Sequence, residues 1–301
     1  MDNFFLIAFA FILGYLLQKM KIFSQDMAQP INKFVIYISL PALILAVIPK
    51  LTFSIEMFIP PFVAWIVMSA SALVILLFSK FMHFPKKIEG ALMLVGVLTN
   101  SSFVGIPIIT AYLGDESLAY IMMYDQLGTS IALATYGTFV VIYYTNSGKI
   151  VPSQIVKKIL IFPPFIALVV AFFLLGKSYP SGIEYALNEL AATIVPLALV
   201  AAGLQLRLFL PKEEVKPFVV SLGVKLIFAP LVAIVVCSLY GWDNLASKVA
   251  IMESAMAPMI TAGAVASMAG LAPRLSSAIV GYGIIFSFAS SALVYKMVIA
   301  V

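Results

Sequence analysis

The sequence predicts an all-α membrane protein of ten transmembrane helices, built as two inverted five-helix repeats. Three observations predict it: a composition unsuited to water, a one-sided distribution of basic residues, and paired proline breaks about 155 residues apart. Of the 301 residues, 63% are hydrophobic and 10% charged, whereas a soluble domain carries roughly 25% charged residues. A span needs about 20 mostly apolar residues, and such runs fall near 4–20, 31–49, 58–80, 88–113, 117–145, 155–176, 186–208, 215–240, 246–270 and 275–299. Residues 1–301 therefore read as one membrane domain, with repeat 1 at about 1–148 and repeat 2 at about 149–301. Asp2 replaces the basic start of a signal peptide, so the first run counts as a span.

The second observation is charge. Connections after odd-numbered runs hold 13 basic residues: Lys19, Lys21, Lys33, Lys80, Lys86, Lys87, Lys149, Lys157, Lys158, Arg207, Lys212, Lys216 and Arg274. The opposite side holds four, Lys50, Lys177, Lys248 and Lys296, and Lys225 lies within a run. Basic residues concentrate on the cytoplasmic side. This bias places Lys86 and Lys149 in the cytoplasm and both termini outside a cytoplasmic membrane, and Arg207 reads as an interfacial anchor. The formal charge of +5 forms no basic stripe with interleaved aromatics, which excludes a nucleic-acid partner.

Symmetry supplies the third. Pro41 in Ser39-Leu40-Pro41-Ala42 and Pro196 in Ile194-Val195-Pro196-Leu197 stand 155 residues apart in similar apolar settings, and Gly114 and Gly270 stand 156 apart. Five is odd, so a five-span repeat inverts the topology of its second copy. The fourth run carries Thr99-Asn100-Ser101-Ser102-Phe103-Val104-Gly105-Ile106-Pro107, and the ninth carries Glu253-Ser254-Ala255-Met256-Ala257-Pro258. Proline removes a backbone donor, and Gly105 with small polar neighbours permits unwinding. Paired broken helices in two halves mark the binding site of a secondary transporter, where freed N–H groups favour a carboxylate. The plainer alternative is that Pro107 and Pro258 kink ordinary spans, with Asn100 as interhelical glue and the serines bonding carbonyls one turn back.

Asp125, Lys225 and Glu253 lie within runs, where charge is costly and marks a pathway or coupling group. Their structural alternative is a buried ion cluster that fixes helix packing. No enzyme constellation emerges. His83 sits beside Lys80, Lys86 and Lys87 as an interfacial loop residue, Cys237 reads as a small buried hydrophobe, and Gly281 and Gly283 read as close-packing positions. No phosphate-binding glycine loop is present, which argues against ATP-driven pumping.

In these residues the chain resembles the auxin efflux carrier family, over essentially its whole length. The resemblance rests on Ser39-Leu40-Pro41, the Asn100 to Pro107 break with Gly114, Tyr124-Asp125-Gln126, Lys225 followed by Pro230, and Glu253 through Pro258. It implies a scaffold of spans 1, 2, 6 and 7 that also forms a homodimer contact. Spans 3–5 and 8–10 are expected to form a mobile, elevator-type transport domain. Implied substrates are small organic anions, mono- or dicarboxylates. The implied substrate-binding groups are Ser39, Asn100 and Gln126, joined by Ser101, Ser102 and Pro258 at the breaks, with Gly105, Pro107 and Pro258 as crossover residues. Asp125, Thr129, Lys225 and Glu253 form the candidate coupling or charge cluster, with sodium or a proton as coupling ion, no organic cofactor and no assigned metal site. Asn100, Thr129 and Glu253 together offer the oxygen donors of a cation site. An anion channel or substrate sensor of the same fold is the competing class.

Overall fold

The computed structural model describes residues 2–24, 27–50, 54–145, 152–206, 210 and 212–300. Thirteen helices account for most of them: α1 (Asp2–Lys19), α2 (Ala28–Lys50), α3 (Ile55–Phe81), α4 (Lys86–Val95), α5 (Ser101–Leu113), α6 (Asp115–Thr145), α7 (Pro152–Leu160), α8 (Pro163–Phe173), α9 (Ser181–Leu204), α10 (Lys212–Leu239), α11 (Leu245–Ser254), α12 (Ile260–Met268) and α13 (Pro273–Ala300). Among the described residues no strand occurs beyond one isolated bridge between Thr99 and Pro258.

Six helices, α2, α3, α6, α9, α10 and α13, are long and apolar enough to cross a bilayer. The remaining hydrophobic runs are short or interrupted. The first is the single helix α1, the fourth divides into α4 and α5, and the ninth divides into α11 and α12. The sixth run, expected as one span over 155–176, is broken too. Its α7 ends at Leu160, and Pro163 and Pro164 open α8 as residues that need no helical N–H donor there. Asn188 and Glu189, inside the seventh run, are accommodated on an exposed face of α9.

The surface is apolar, unlike that of a water-soluble domain, and a largely apolar interior encloses a set of buried polar groups. Phe5, Phe9, Leu77, Ile227, Leu231 and Val235 are exposed, while Ser39, Thr99, Asn100, Asp125, Gln126, Lys225 and Glu253 are buried. Hydrocarbon accepts the first set, and the second must be satisfied inside the protein. Hydrogen bonds bind α6 to α4, where Tyr136 donates to the Met93 carbonyl (2.8 Å) and Tyr144 to Glu89 Oε1 (2.5 Å).

Packing sorts the helices into two groups. In one, α1 lies along the second half of α9, and α2 packs against α8 and α9. In the other, α3 carries α6, α10 and α11, while α4 and α12 pack with α13. The groups meet where α5 touches α1 and α9, and where α6 touches α2, α7 and α8. Gly114 and Gly270 close α5 and α12 with φ of 77° and 70°, a conformation that side-chain-bearing residues rarely adopt.

Four of these helices contain wide turns in which the backbone bonds to the fifth residue back: Val35–Ser39 in α2, Ser101–Gly105 in α5, Tyr124–Ser130 and Leu133–Gly137 in α6, and Val224–Phe228 in α10. Such turns loosen the carbonyl ladder and frequently coincide with functional positions. In α6 the Leu127 carbonyl accepts from Trp65 Nε1 of α3 at 3.0 Å, which docks that turn on its neighbour.

Candidate functional site

The site begins with the two helix breaks. Between α4 and α5 the helix ends in a turn at Gly96 and Val97, and Asn100 adopts φ −88°, ψ 67°, outside the helical region. Between α11 and α12, Met259 is extended. The two segments cross antiparallel: Asn100 N–H donates to the Ala257 carbonyl (2.9 Å), and Met259 N–H donates to the Leu98 carbonyl (3.0 Å). Each break therefore supplies backbone partners that the other lost. This satisfies groups that hydrocarbon could not.

Pro258 lies at the crossing itself, as Thr99's bridge partner. Its ring is packed by Gly283 of α13, where a Cβ would stand 2.3 Å from Pro258 Cδ. Gly105 and Pro107, expected at the crossing, lie beyond it. The helix resumes at Ser101, Gly105 N–H bonds back to the Asn100 carbonyl (3.0 Å), and Pro107 falls in the regular turn that follows. The reason is that a proline shapes the turn before it, and here that turn is widened instead of opened.

Around the crossing, side chains from α5, α6, α10 and α11 form two polar clusters. In the first, Ser101 Oγ donates to Asp125 Oδ1 and lies 2.9 Å from Thr129 Oγ1. Gln126 Nε2 donates to Asp125 Oδ2 (2.5 Å), and Thr129 Oγ1 donates to the Asp125 carbonyl (3.0 Å). Asp125 is thus held by donors on both of its oxygens. In the second, Lys225 Nζ donates to Thr99 Oγ1 (2.6 Å) and to the Ser254 carbonyl (3.3 Å). Glu253 is buried beside it, and neither carboxyl oxygen has a hydrogen-bond partner.

Glu253 lies within electrostatic range of both Asp125 and Lys225, but the three do not form the direct ion cluster posed as their structural alternative. Among the described residues the ion pairs closer than 4.0 Å are Lys50–Glu184 (2.8 Å) and Lys248–Asp243 (3.0 Å), both at the surface. Arg207 and Lys149 lie outside the described residues.

A cavity of about 220 Å³ opens at the seam between the two helix groups. Its polar lining comes from Ser102, Asp125, Gln126, Ser130 and Thr261, and its apolar lining from Ile36, Leu40, Phe103, Phe162, Phe165 and others. Ser102 and Thr261 stand in the first turns of α5 and α12, so two helix N-termini border this space. Gln126 Oε1 and Asn100 Nδ2 are buried without partners. Asn100, Ser101 and Thr129 lie outside the immediate lining.

Ser39 is not brought to the cavity. Its hydroxyl pairs with Thr193 Oγ1 at 2.6 Å, joining α2 to α9, and the α2 residues that face the cavity are Ile36 and Leu40. Residues missed from the sequence include Thr99 and Ser254, which receive the lysine, and Thr261, Phe162 and Phe165 in the wall. Thr261 follows Pro258 by three residues and Phe162 and Phe165 flank a proline pair, signals that were available but ambiguous.

A family model described as Membrane transport protein matches residues 1–295. The chain belongs to this family, the auxin efflux carrier family. Two archaeal relatives in this family share the same extent. An uncharacterized transporter of Methanothermobacter thermautotrophicus is 24% identical over 258 residues, covering 85% of this chain and 84% of the relative. An uncharacterized transporter of Methanocaldococcus jannaschii is 28% identical over 265 residues, covering 85% of each. Membership makes the protein a multi-pass membrane protein of transport type.

One position in this family member links the break to the acid. A Cβ at Gly105 would stand 2.6 Å from Glu253 Oε1 and 2.8 Å from Oε2. Because the obstacle is the end of a flexible side chain, Gly105→Ala should fold and displace the Glu253 carboxyl. The expected result is a melting temperature close to wild type with reduced transport. Equal transport in folded Gly105→Ala would separate the position of Glu253 from function.

Proposed function

We propose that this protein is a secondary carrier of small organic anions, mono- or dicarboxylates, in the cytoplasmic membrane. The observation that carries this reading is the antiparallel crossing of two broken helices beside a cavity with polar and apolar walls. Two half-helix N-termini present positive ends and free N–H groups to an anion. The Ser102 and Thr261 hydroxyls add donors in the wall, and Ile36, Leu40, Phe162 and Phe165 suit a short carbon skeleton. In this reading the unpartnered Asn100 amide nitrogen, outside the lining of the empty cavity, turns to the bound anion as a further donor. A volume near 220 Å³ matches a molecule of a few carbons.

In this reading α4 with α5, and α11 with α12, are each one broken span, and α1 and α8 complete ten. The two five-span halves are inverted, with both termini outside and Lys86 in the cytoplasm. The group of α1, α2, α8 and α9 is the scaffold and dimer contact, supported by exposed apolar side chains such as Phe9 on α1 and Phe173 on α8. The other group slides against it as an elevator. The polar half of the cavity, from α5, α6 and α12, then travels with the moving group, while the α2 and α8 part of its wall is exchanged as the groups slide.

Counterflow in proteoliposomes tests the reading, with labelled malonate, malate and lactate as probes. Saturable exchange of at least one acid is expected, and Asn100→Ala should lower its rate about tenfold or more, since an unreplaced buried donor to a charged group is worth roughly 1.5–3 kcal/mol. Conductance without counterflow would replace the carrier with an anion channel. Binding without flux would make it a sensor. Unchanged exchange in folded Asn100→Ala would remove that residue from the site.

A further inference from the structure

The crossing of the broken helices holds a buried ammonium group that the anion site does not use. Lys225 is 0% exposed and sits in the wide turn Val224–Phe228 of α10. Too deep to reach an interface, its Nζ meets two oxygens of the crossing: Thr99 Oγ1 in the first break (2.6 Å) and the carbonyl of Ser254, the last residue of α11 (3.3 Å). A hydroxyl in an unwound segment and a carbonyl at a half-helix C-terminus are ligands of the kind that hold an alkali cation in coupled carriers. The negative end of the α11 dipole points to the same place. Glu253, one residue earlier, adds a carboxyl whose two oxygens are buried and without hydrogen-bond partners.

The oxygens here are those of a cation site, and the Lys225 amino group already occupies them. The titratable groups sharing it are Glu253 from α11 and Asp125 and Tyr124 from α6, while α3, α5 and α13 bring hydroxyl and apolar groups. A sodium ion entering here would have to take oxygens from the ammonium and then sit within a few ångströms of its charge. A tethered cation also differs from a free one in what it joins. Thr99 and Ser254 belong to opposite halves of the chain, so Lys225 clasps both breaks at once.

We propose that the Lys225 ammonium is the resident cation of the crossover, occupying the oxygen set that sodium would otherwise require, so that the protein works without sodium. This rests on the carrier reading above and names the regulation of its crossover. The test compares melting temperatures of the purified full-length protein in sodium chloride and in choline chloride at matched ionic strength. Wild type is expected to show no sodium-specific shift. Lys225→Ala should melt lower, and sodium or methylammonium, but not choline, should raise its melting temperature saturably by several degrees, because a small cation refills the vacated oxygens. A Thr99→Val, Lys225→Ala double variant should lose most of that response.

Saturable stabilisation of wild type by sodium would overturn the proposal, and that measurement stands whether or not the variant can be purified. A folded Lys225→Ala indifferent to both cations would overturn it as well. The melts need no transported substrate, so their failure is distinct from an absence of counterflow.

Discussion

Replacing Gly203 by leucine is expected to leave little folded, monodisperse protein. A Cβ at Gly203 would lie 2.2 Å from the Phe11 carbonyl oxygen and 2.8 Å from Tyr15 N, and a Cβ at Gly14 would lie 2.2 Å from the Val200 carbonyl oxygen. Here α1 and α9 touch backbone to backbone, so no side-chain rotation can make room. In a bilayer no hydrophobic force presses helices together. Close packing of small residues supplies the association instead. Overpacking a well-packed contact costs about 1–3 kcal/mol and occasionally more, which makes Gly203→Ala a measurable loss and leucine a larger one. Size-exclusion profiles and melting curves in detergent give the readout. Gly223 in α10 is the control, because a Cβ there meets nothing within 4 Å, and Gly223→Ala should melt at or above wild type. A wild-type profile for Gly203→Leu would mean that α1 does not pack on α9 in this way.

The helix content and the two breaks were legible in the sequence because they depend on local properties: run length, proline, and small polar residues such as Ser101 and Ser102. The exact crossing was not. Pro107 drew attention to the wrong turn, since the pairing of Leu98–Asn100 with Ala257–Met259 is set by contact between segments about 160 residues apart in the chain. Ser39 shows the same limit: the family resemblance marked it as a site residue, but its partner is Thr193 on a packed neighbour. Charge inside a span was a sound signal for burial at Asp125, Lys225 and Glu253. It could not say which acid is satisfied and which is not, because hydrogen bonds from Ser101, Gln126 and Thr129 depend on how the wide turns aim those side chains. The cavity wall was the least legible part, since Ile36, Phe162 and Phe165 look like any other apolar residues until the helices are packed.

That difference between the two acids carries the second large effect. Asp125→Ala should strip the acceptor from Ser101, Gln126 and Thr129 together and uncouple α5 from α6. Each hydrogen bond lost is worth about 0.5–1.5 kcal/mol and each buried donor left orphaned costs about 1–3 kcal/mol, so a fall in stability of roughly 3 kcal/mol or more is expected before any functional assay. Asp125→Asn should be milder. Gln126 has an unpartnered Oε1 and can turn its amide to accept from the new Nδ2. Glu253→Gln removes the ionisable carboxyl but no hydrogen bond, because its oxygens have none to lose. It should therefore melt near wild type while transport falls, provided the acid next to the Lys225 clasp governs movement of the loaded cavity. The three variants are compared by melting temperature and by uptake of the exchanged acid across pH. Stability lost mainly in Glu253→Gln, with Asp125→Ala folding and transporting normally, would reverse the assignment and make Glu253 the packing residue and Asp125 a dispensable part of the wall.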